Sequence, residues 1–344
     1  MSDAASAKPR WKTIFRVTLA IPEVLVMFLV TLWAFGAIYY DGPLSIGYAN
    51  GALGAVWFCA LIGALIRWSG AWRRRAIWAG GIAVVVVPWL FIQPSHDRPW
   101  QAPWQVMGTV EIDGDLVTIH GFRNFDYALD GTVTERWESR TVRLSNLRGV
   151  DLFLSAFMGK KIAHSMLSFD FGPDGHVALA VETRREVGEA FSDLGGLYKM
   201  FELQYIFADE RDLIRVRTNI REEPVYLYRG MITPGEARSS FRQIAEYANE
   251  IAREPRFYNI ISANCTTSIY AQVPASRRTR LDYRLLLNGR LDELLYEQGS
   301  LRTEGLSFQD LRRASLINEV ALDAHDDPEF SKRIRAGLPW FDGE

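Results

Sequence analysis

Cysteine is scarce in this chain: two residues, Cys59 and Cys265, in 344. That excludes a disulfide-stapled scaffold. Histidine is scarce as well, with five. No His-x-x-x-His or Cys-x-x-Cys spacing occurs, so no metal site and no cofactor are expected. Neither charge sign is in surplus: 39 Lys/Arg against 41 Asp/Glu leaves −2. A near-neutral total gives no footprint for nucleic acid. With 48% hydrophobic and 23% charged residues, disorder is excluded too.

What is present is unevenly distributed. Residues 1–94 hold eight Lys/Arg and three acids, net +5, and seven of the eleven Trp. The remaining 250 residues are net −7. After a basic tail at 1–16, the first part holds three apolar stretches, about 17–40, 44–66 and 76–92. About 17–25 apolar residues cross a bilayer core. Three such stretches within 17–93, with no polar face, predict a three-helix transmembrane anchor rather than a buried core. Basic residues precede the first span and fill the Arg67–Arg75 loop, while the loop at Asp41–Pro43 has none. The positive-inside rule then puts the N-terminus in the cytoplasm and everything after Ile92 outside. Glu23 sits inside the first span. Two readings compete for it, a functional intramembrane acid and a side chain snorkelling to the interface near Arg16. Cys59, in the second span, reads as a small packing residue.

The outside domain, 94–344, reads as α+β. Gln93–Pro103 looks like an extended stalk. A hairpin is expected at Val106–His120 around Asp113-Gly114-Asp115. Strands are expected at Arg140–Leu154, Ala163–Phe171, His176–Thr183, Asp212–Thr218 and Val225–Tyr228, the second and third joined by the turn Gly172-Pro-Asp-Gly175. Pro234–Arg253 has helical spacing behind a possible cap at Thr233. Thr266–Gln272 opens a further helix, and the charged tail is mostly helical.

Cys265 is the one thiol of this domain, and in an oxidising compartment it is either buried and inert or reactive. Asn264 before it and the Thr-rich run after it place it at a helix start, where main-chain N–H groups favour a thiolate and a developing oxyanion. A thiolate nucleophile needs a base. His96 falls in the stalk, His325 in an acidic, solvated loop, and His120 at a hairpin end. His164 and His176 flank the Ala163–Thr183 hairpin. The turn sets His164 opposite about Glu182–Arg184, so Glu182 can orient it if the register allows, with Asp170 and His176 as weaker options.

These residues resemble the family named for the Lnb N-terminal periplasmic domain. The resemblance rests on Pro94-Ser-His-Asp-Arg-Pro-Trp100, Arg123-Asn-Phe-Asp-Tyr127, Arg136-Trp-Glu138, Ala163-His-Ser-Met-Leu-Ser-Phe169, Val181-Glu-Thr-Arg-Arg-Glu186, Glu210-Arg-Asp212, Arg217-Thr-Asn-Ile-Arg221, Val225-Tyr-Leu-Tyr228, Phe257-Tyr-Asn259 and Asn264-Cys-Thr-Thr267. The tail Phe330–Pro339 also fits. Ile260-Ile261-Ser262-Ala263 departs, standing where a polar Thr/Asn-rich stretch is expected. The resemblance implies a circularly permuted papain-like fold, similar to NlpC-type hydrolases and lecithin retinol acyltransferase, with Cys265 as nucleophile and His164 as base. It implies acyl transfer to the N-terminal amine of membrane lipoproteins, with a phospholipid donor. Tyr258, Asn264 and Thr266 become candidates for substrate binding or oxyanion support. Arg184, Arg217 and Arg221 become candidates for a lipid phosphate, against the plainer reading that they pair with Glu186, Glu222 and Glu223. Two other classes stay open: a cysteine peptidase or amidase acting on cell-wall peptides, and a non-enzymatic membrane-tethered binding module.

Overall fold

The computed structural model describes residues 10–44, 47–157, 162–270, 282–285 and 288–341. Two compact units emerge, Met1–Gln93 with Tyr198–Met200, and Pro94–Leu197 with Phe201–Glu344.

The first unit holds helices α1 (Arg10–Asp41), α2 (Gly47–Arg67) and α3 (Ala71–Leu90). Two stretches, Ile21–Asp41 and Gly47–Arg67, are long and apolar enough to cross a membrane. The third helix opens on Arg73-Arg74-Arg75, which shortens its apolar run. The expected three-span anchor is thus two membrane-capable helices and a shorter third. Small residues let the helices approach closely. Ala34 and Ala37 are buried with Ile82 and Val85, and a Cβ on Gly81 would lie 2.7 Å from Leu61. The Trp57 indole donates to the Gly81 carbonyl at 3.0 Å, and Trp78 donates to the Thr31 hydroxyl at 3.0 Å. Glu23 takes a partner that sequence reading did not name: Arg75 of α3, with Nη2 2.6 Å from Oε2. Cys59 is exposed on its helix rather than packed between helices.

The second unit is α+β. Among the described residues its strands are β1 (Thr109–Asp113), β2 (Leu116–Arg123), β3 (Asp126–Tyr127), β4 (Val133–Thr134), β5 (Trp137–Arg143), β6 (Gly149–Phe157), β7 (Ile162–Asp170), β8 (His176–Arg184), β9 (Glu202–Ala208) and β10 (Val225–Arg229). Eight of them form one sheet in the order β1-β2-β9-β8-β7-β6-β10, with β5 also pairing β2, while β3 and β4 pair separately. All pairings are antiparallel except the short β2–β9 contact. The hairpin β1–β2 turns on Asp113–Leu116, as its Asp-Gly-Asp sequence predicts.

Helices α4 (Glu210–Leu213), α5 (Pro234–Arg253), α6 (Cys265–Tyr270), α7 (Leu291–Glu297), α8 (Phe308–Ala314), α9 (Asn318–Asp323) and α10 (Phe330–Arg333) complete the unit. For α5, Thr233 and Glu236 form a capping box. Its apolar stripe buries Phe241, whose ring meets Phe169 and Phe171 edge-on at 5.0 and 5.3 Å. The tail helices close a core of Phe153, Tyr226 and Tyr228 with Leu291, Leu311, Ile317, Phe330, Ile334 and Trp340.

Four sequence expectations need correction. Arg140–Leu154 is two strands, because Leu144–Asn146 makes a 3-10 turn between them. Asp212–Thr218 is not a strand. Asp209 caps α4 by accepting the Arg211 N–H, and a π-helical turn, Val216–Ile220, follows. The strand β9 was not foreseen. It is buried along its whole length, so Glu202 and Gln204 break the apolar run without marking an exposed face. The supposed stalk is pinned to this unit: Ser95 N–H donates to Glu202 at 3.2 Å, and Arg98 pairs with Glu186 and Glu202 at 2.7 and 3.0 Å. The helix expected at Thr266–Gln272 is α6, and its last two residues lie outside those described.

Candidate active site

The site is assembled by strand register. β6 sets Ser155 opposite His164, and β8 sets Glu182 opposite Gln204. The β7–β8 ladder pairs Met166 with Ala180. Two residues further on, the same register carries His164 opposite Glu182. Side chains two apart share a face, so the imidazole and the carboxylate meet: Nε2 lies 3.0 Å from Oε1. The contact is an ion pair rather than a well-aligned hydrogen bond.

Cys265 opens α6 and is buried. Asn264 caps the helix, its Oδ1 accepting the Thr267 N–H at 2.8 Å while its own N–H donates to Thr267 Oγ1 at 3.0 Å. Its Nδ2 donates to the Ile260 carbonyl at 2.6 Å. Asn264 is thereby a positioning residue whose amide is already committed. Cys265 and His164 line the same cleft, and the His164 charge acts on the thiol. A further partner, Asn288, escaped sequence reading. Its Nδ2 lies 3.9 Å from Sγ and 2.5 Å from Thr266 Oγ1, and its Oδ1 accepts the Ala163 N–H at 2.8 Å. Thr266 also meets Ser165 Oγ at 3.0 Å. Its hydroxyl is therefore tied up behind the thiol, and Thr266 does not line the cleft.

Electrostatics make this a charged pair. Burial disfavours the imidazolium, and Arg217 adds to that, but Glu182 and Cys265 outweigh both and raise His164 to about 9. Burial pushes the Cys265 thiol up, yet the His164 charge and hydrogen bond, the Ser165 main chain and Thr266 bring it below its ordinary value. Burial would raise Glu182 as well, and His164, Arg217 and Arg123 hold it well below the usual carboxylate range. At neutral pH His164 is thus an imidazolium, and the Cys265 thiol is shifted toward the thiolate, the reactive form of a thiol nucleophile.

A cleft of about 300 Å³ opens over this pair, lined among others by His164, Glu182, Arg217, Arg221, Tyr258, Asn264 and Cys265. Seven of the nine residues named from sequence thus meet at one place. Arg217 spans two carboxylates, Glu182 at 3.0 Å and Glu223 at 3.2 Å. The plainer ion-pair reading therefore holds for it. Arg221 approaches Glu223 only to 4.0 Å. Tyr258 is buried in the cleft wall, and burial together with the Cys265 charge raises its hydroxyl.

Besides Thr266, Arg184 departs from the sequence expectation. It donates to the Trp104 and Gln105 carbonyls at 2.9 and 3.0 Å and meets His96 Nδ1 at 3.1 Å. Its neighbour Arg185 lines the cleft instead. Arg184 is the last residue of β8 and Arg185 follows it, where alternation no longer fixes a face, so the choice between them was not legible in the sequence. Glu223, named from sequence as a pairing acid, lines the cleft too, as does Asp193, which carried no sequence signal.

The other histidines lie elsewhere. His176 sits 3.9 Å from Asp170, and His120 is an exposed partner of Ser139. His325 is buried against Asn219 at 2.9 Å, not solvated as its acidic neighbours suggested. Among the described residues, no cluster of three His, Cys, Asp or Glu could hold a metal ion.

His164 keeps its proton through neutral pH and loses it above about pH 9. Any reaction of Cys265 whose leaving group draws that proton is therefore expected to hold its rate through neutral pH and to slow above about pH 9. In Glu182→Gln the carboxylate that raises His164 is gone, so this alkaline limb moves to lower pH. Single-turnover rates across pH check it, with an unmoved limb counting against Glu182 as the orienting group.

No curated protein and no solved structure matches the chain. A family model, the Lnb N-terminal periplasmic domain, matches residues 133–289. That span holds Cys265, His164, Glu182, Arg217 and Asn288, while the motifs before Val133 and the tail Phe330–Pro339 lie outside it. With two membrane-capable helices, the match fits a membrane-anchored protein with a periplasmic domain. Over residues 133–289, which include Cys265 and His164, the chain is similar to the Lnb N-terminal periplasmic domain.

Proposed function

We propose that this protein is a cysteine acyltransferase that transfers a phospholipid acyl chain to the N-terminal amine of a membrane lipoprotein. The observation that carries this reading is the buried Cys265–His164–Glu182 arrangement facing a cleft, with the His164 charge lowering the thiol. The His strand preceding the Cys helix supports a circularly permuted papain-like arrangement. A third crossing by α3, the N-terminus in the cytoplasm and residence in the bacterial inner membrane belong to the same proposal.

The chemistry follows from the residues. The Cys265 thiolate attacks the ester carbonyl of the donor. Main-chain N–H groups at the start of α6 are free to stabilise the oxyanion, since the first N–H groups of a helix have no internal partner. The C–O bond breaks, His164 gives its proton to the departing lysolipid oxygen, and a thioester remains on Cys265. The acceptor amine then attacks the thioester and passes its proton to His164. The C–S bond breaks, and thiolate and imidazolium are restored. Glu182 keeps the imidazole oriented and stabilises its charge throughout.

Intact-mass spectrometry tests this. Purified full-length protein incubated with phospholipid should gain one acyl group, released by hydroxylamine and absent from Cys265→Ala. Absence of any adduct over neutral to mildly alkaline pH would refute the reading. The polar lining of the cleft, with Arg185, Arg217, Arg221, Asp193 and Glu223, favours a second one. Here the same pair acts as a cysteine peptidase or amidase with water as acceptor. Release of cell-wall peptide fragments without lipid acylation would identify it.

A further inference from the structure

Most charged side chains around the cleft are already committed. Arg217 is held by Glu182 and Glu223, and Arg184 by two carbonyls and His96. Two are not. Arg185 lines the cleft with its Nε buried and without a partner, and it makes no ion pair among the described residues. Its guanidinium is braced 3.8 Å above the Trp104 ring, which fixes the planar fork without using its donors. Arg221, beside it on the same cleft, has only the distant Glu223 at 4.0 Å. On the other side of the account stands Asp193, with Oδ1 buried and unpartnered. A buried polar atom left without a partner is destabilising unless a ligand supplies one. Among the described residues Arg185 and Asp193 make no ion pair with each other, so the cleft presents uncommitted positive charge at Arg185 and uncommitted negative charge at Asp193.

We propose that this cleft binds a zwitterionic headgroup, with a phosphodiester against Arg185 and Arg221 and an ammonium group at Asp193. A planar guanidinium suits a phosphate bidentately, and a half-free carboxylate suits an ammonium. The donor is then an amine-bearing phospholipid in preference to a purely anionic one. Identifying the ligand as a lipid rests on the acyl-transfer reading. The pairing of two opposite charges does not.

The test is a binding measurement, kept apart from turnover by using full-length Cys265→Ala protein in detergent. Short-chain phosphatidylethanolamine is compared with phosphatidylglycerol bearing the same chains. Phosphatidylethanolamine should bind about tenfold tighter, the usual scale for one charge-assisted contact. Asp193→Asn should bring its affinity down to that of phosphatidylglycerol and leave phosphatidylglycerol unchanged. Arg185→Gln should weaken both, and Arg185→Lys should recover part of the loss. Equal affinity of the two lipids, or equal weakening of both by Asp193→Asn, overturns the proposal, as does unchanged binding in Arg185→Gln. Preference for a zwitterionic cell-wall peptide over both lipids also overturns it as a lipid site. Matched melting temperatures exclude misfolding as the cause. Headgroup selectivity without acylation of wild-type Cys265 would sink the acyl-transfer reading while leaving this one standing.

Discussion

Replacing Cys265 with Ala, or His164 with Ala, is expected to lower the acylation rate by about 10³-fold or more, the scale on which nucleophile and base losses act in other hydroxyl and thiol enzymes. The two losses should not add, because thiolate and imidazolium form one unit: removing either partner dissolves the pair. The double variant should therefore match the worse single one. His164→Ala has a second signature. Without the imidazolium, only the Ser165 main chain and Thr266 still oppose burial, and the thiol rises. Alkylation by iodoacetamide at neutral pH, in a Cys59→Ala background, should slow accordingly. Full acylation in either variant, or fast alkylation in His164→Ala, would show that Cys265 and His164 do not work as a pair.

The second large effect concerns stability. Arg335 of the tail is buried between Asp151 and Glu210, its Nη2 2.7 Å from Asp151 Oδ2 and 2.6 Å from Glu210 Oε1. Arg229 shares the network, binding Asp151 at 2.8 Å and Asp170 at 2.9 Å. Both Asp151 and Glu210 are wholly buried. Burial would raise Glu210, but Arg335, with His176 and Ser168, holds it at about 2. Arg335→Met leaves Asp151 with Arg229 but leaves Glu210 without an ion-pair partner. Breaking one side of a buried pair costs about 3–5 kcal/mol, and denaturant unfolding at neutral pH should show that loss.

The pH dependence has a definite sign. In the wild type, the depressed Glu210 contributes stability that is present above its unfolded value and lost as pH falls towards 2. In Arg335→Met, burial dominates, so the folded carboxyl titrates above its unfolded value. The folded variant then binds a proton more readily than the unfolded chain, and its deficit should shrink as pH falls into the acidic range. Adding Glu210→Leu should recover most of the loss, since replacing a buried pair by apolar groups is often neutral. A deficit below about 1 kcal/mol in Arg335→Met would mean that water reaches the network.

Much of this protein was legible before folding. Long apolar runs, clustered basic residues and Trp set the N-terminal helices apart, because a bilayer-length apolar helix has no other stable home. The Gly172–Gly175 turn fixed the β7–β8 hairpin. A tight turn also fixes register, and for that reason Glu182 could be named opposite His164 from sequence. The one thiol outside the anchor drew notice by being alone. What stayed hidden were contacts between residues far apart in the chain. Asn288 reaches Cys265 from 23 residues on, and Arg335 reaches Asp151 across 184. No local pattern encodes such pairs. Which of Arg184 and Arg185 faces the cleft was undecided as well, since alternation fails where a strand ends. The sequence by itself determined most of the elements and the β7–β8 hairpin register, and singled out Cys265 as the thiol to test. Only the tertiary structure decided which charges are spent on each other and which remain free, because that depends on how buried groups from distant segments satisfy one another.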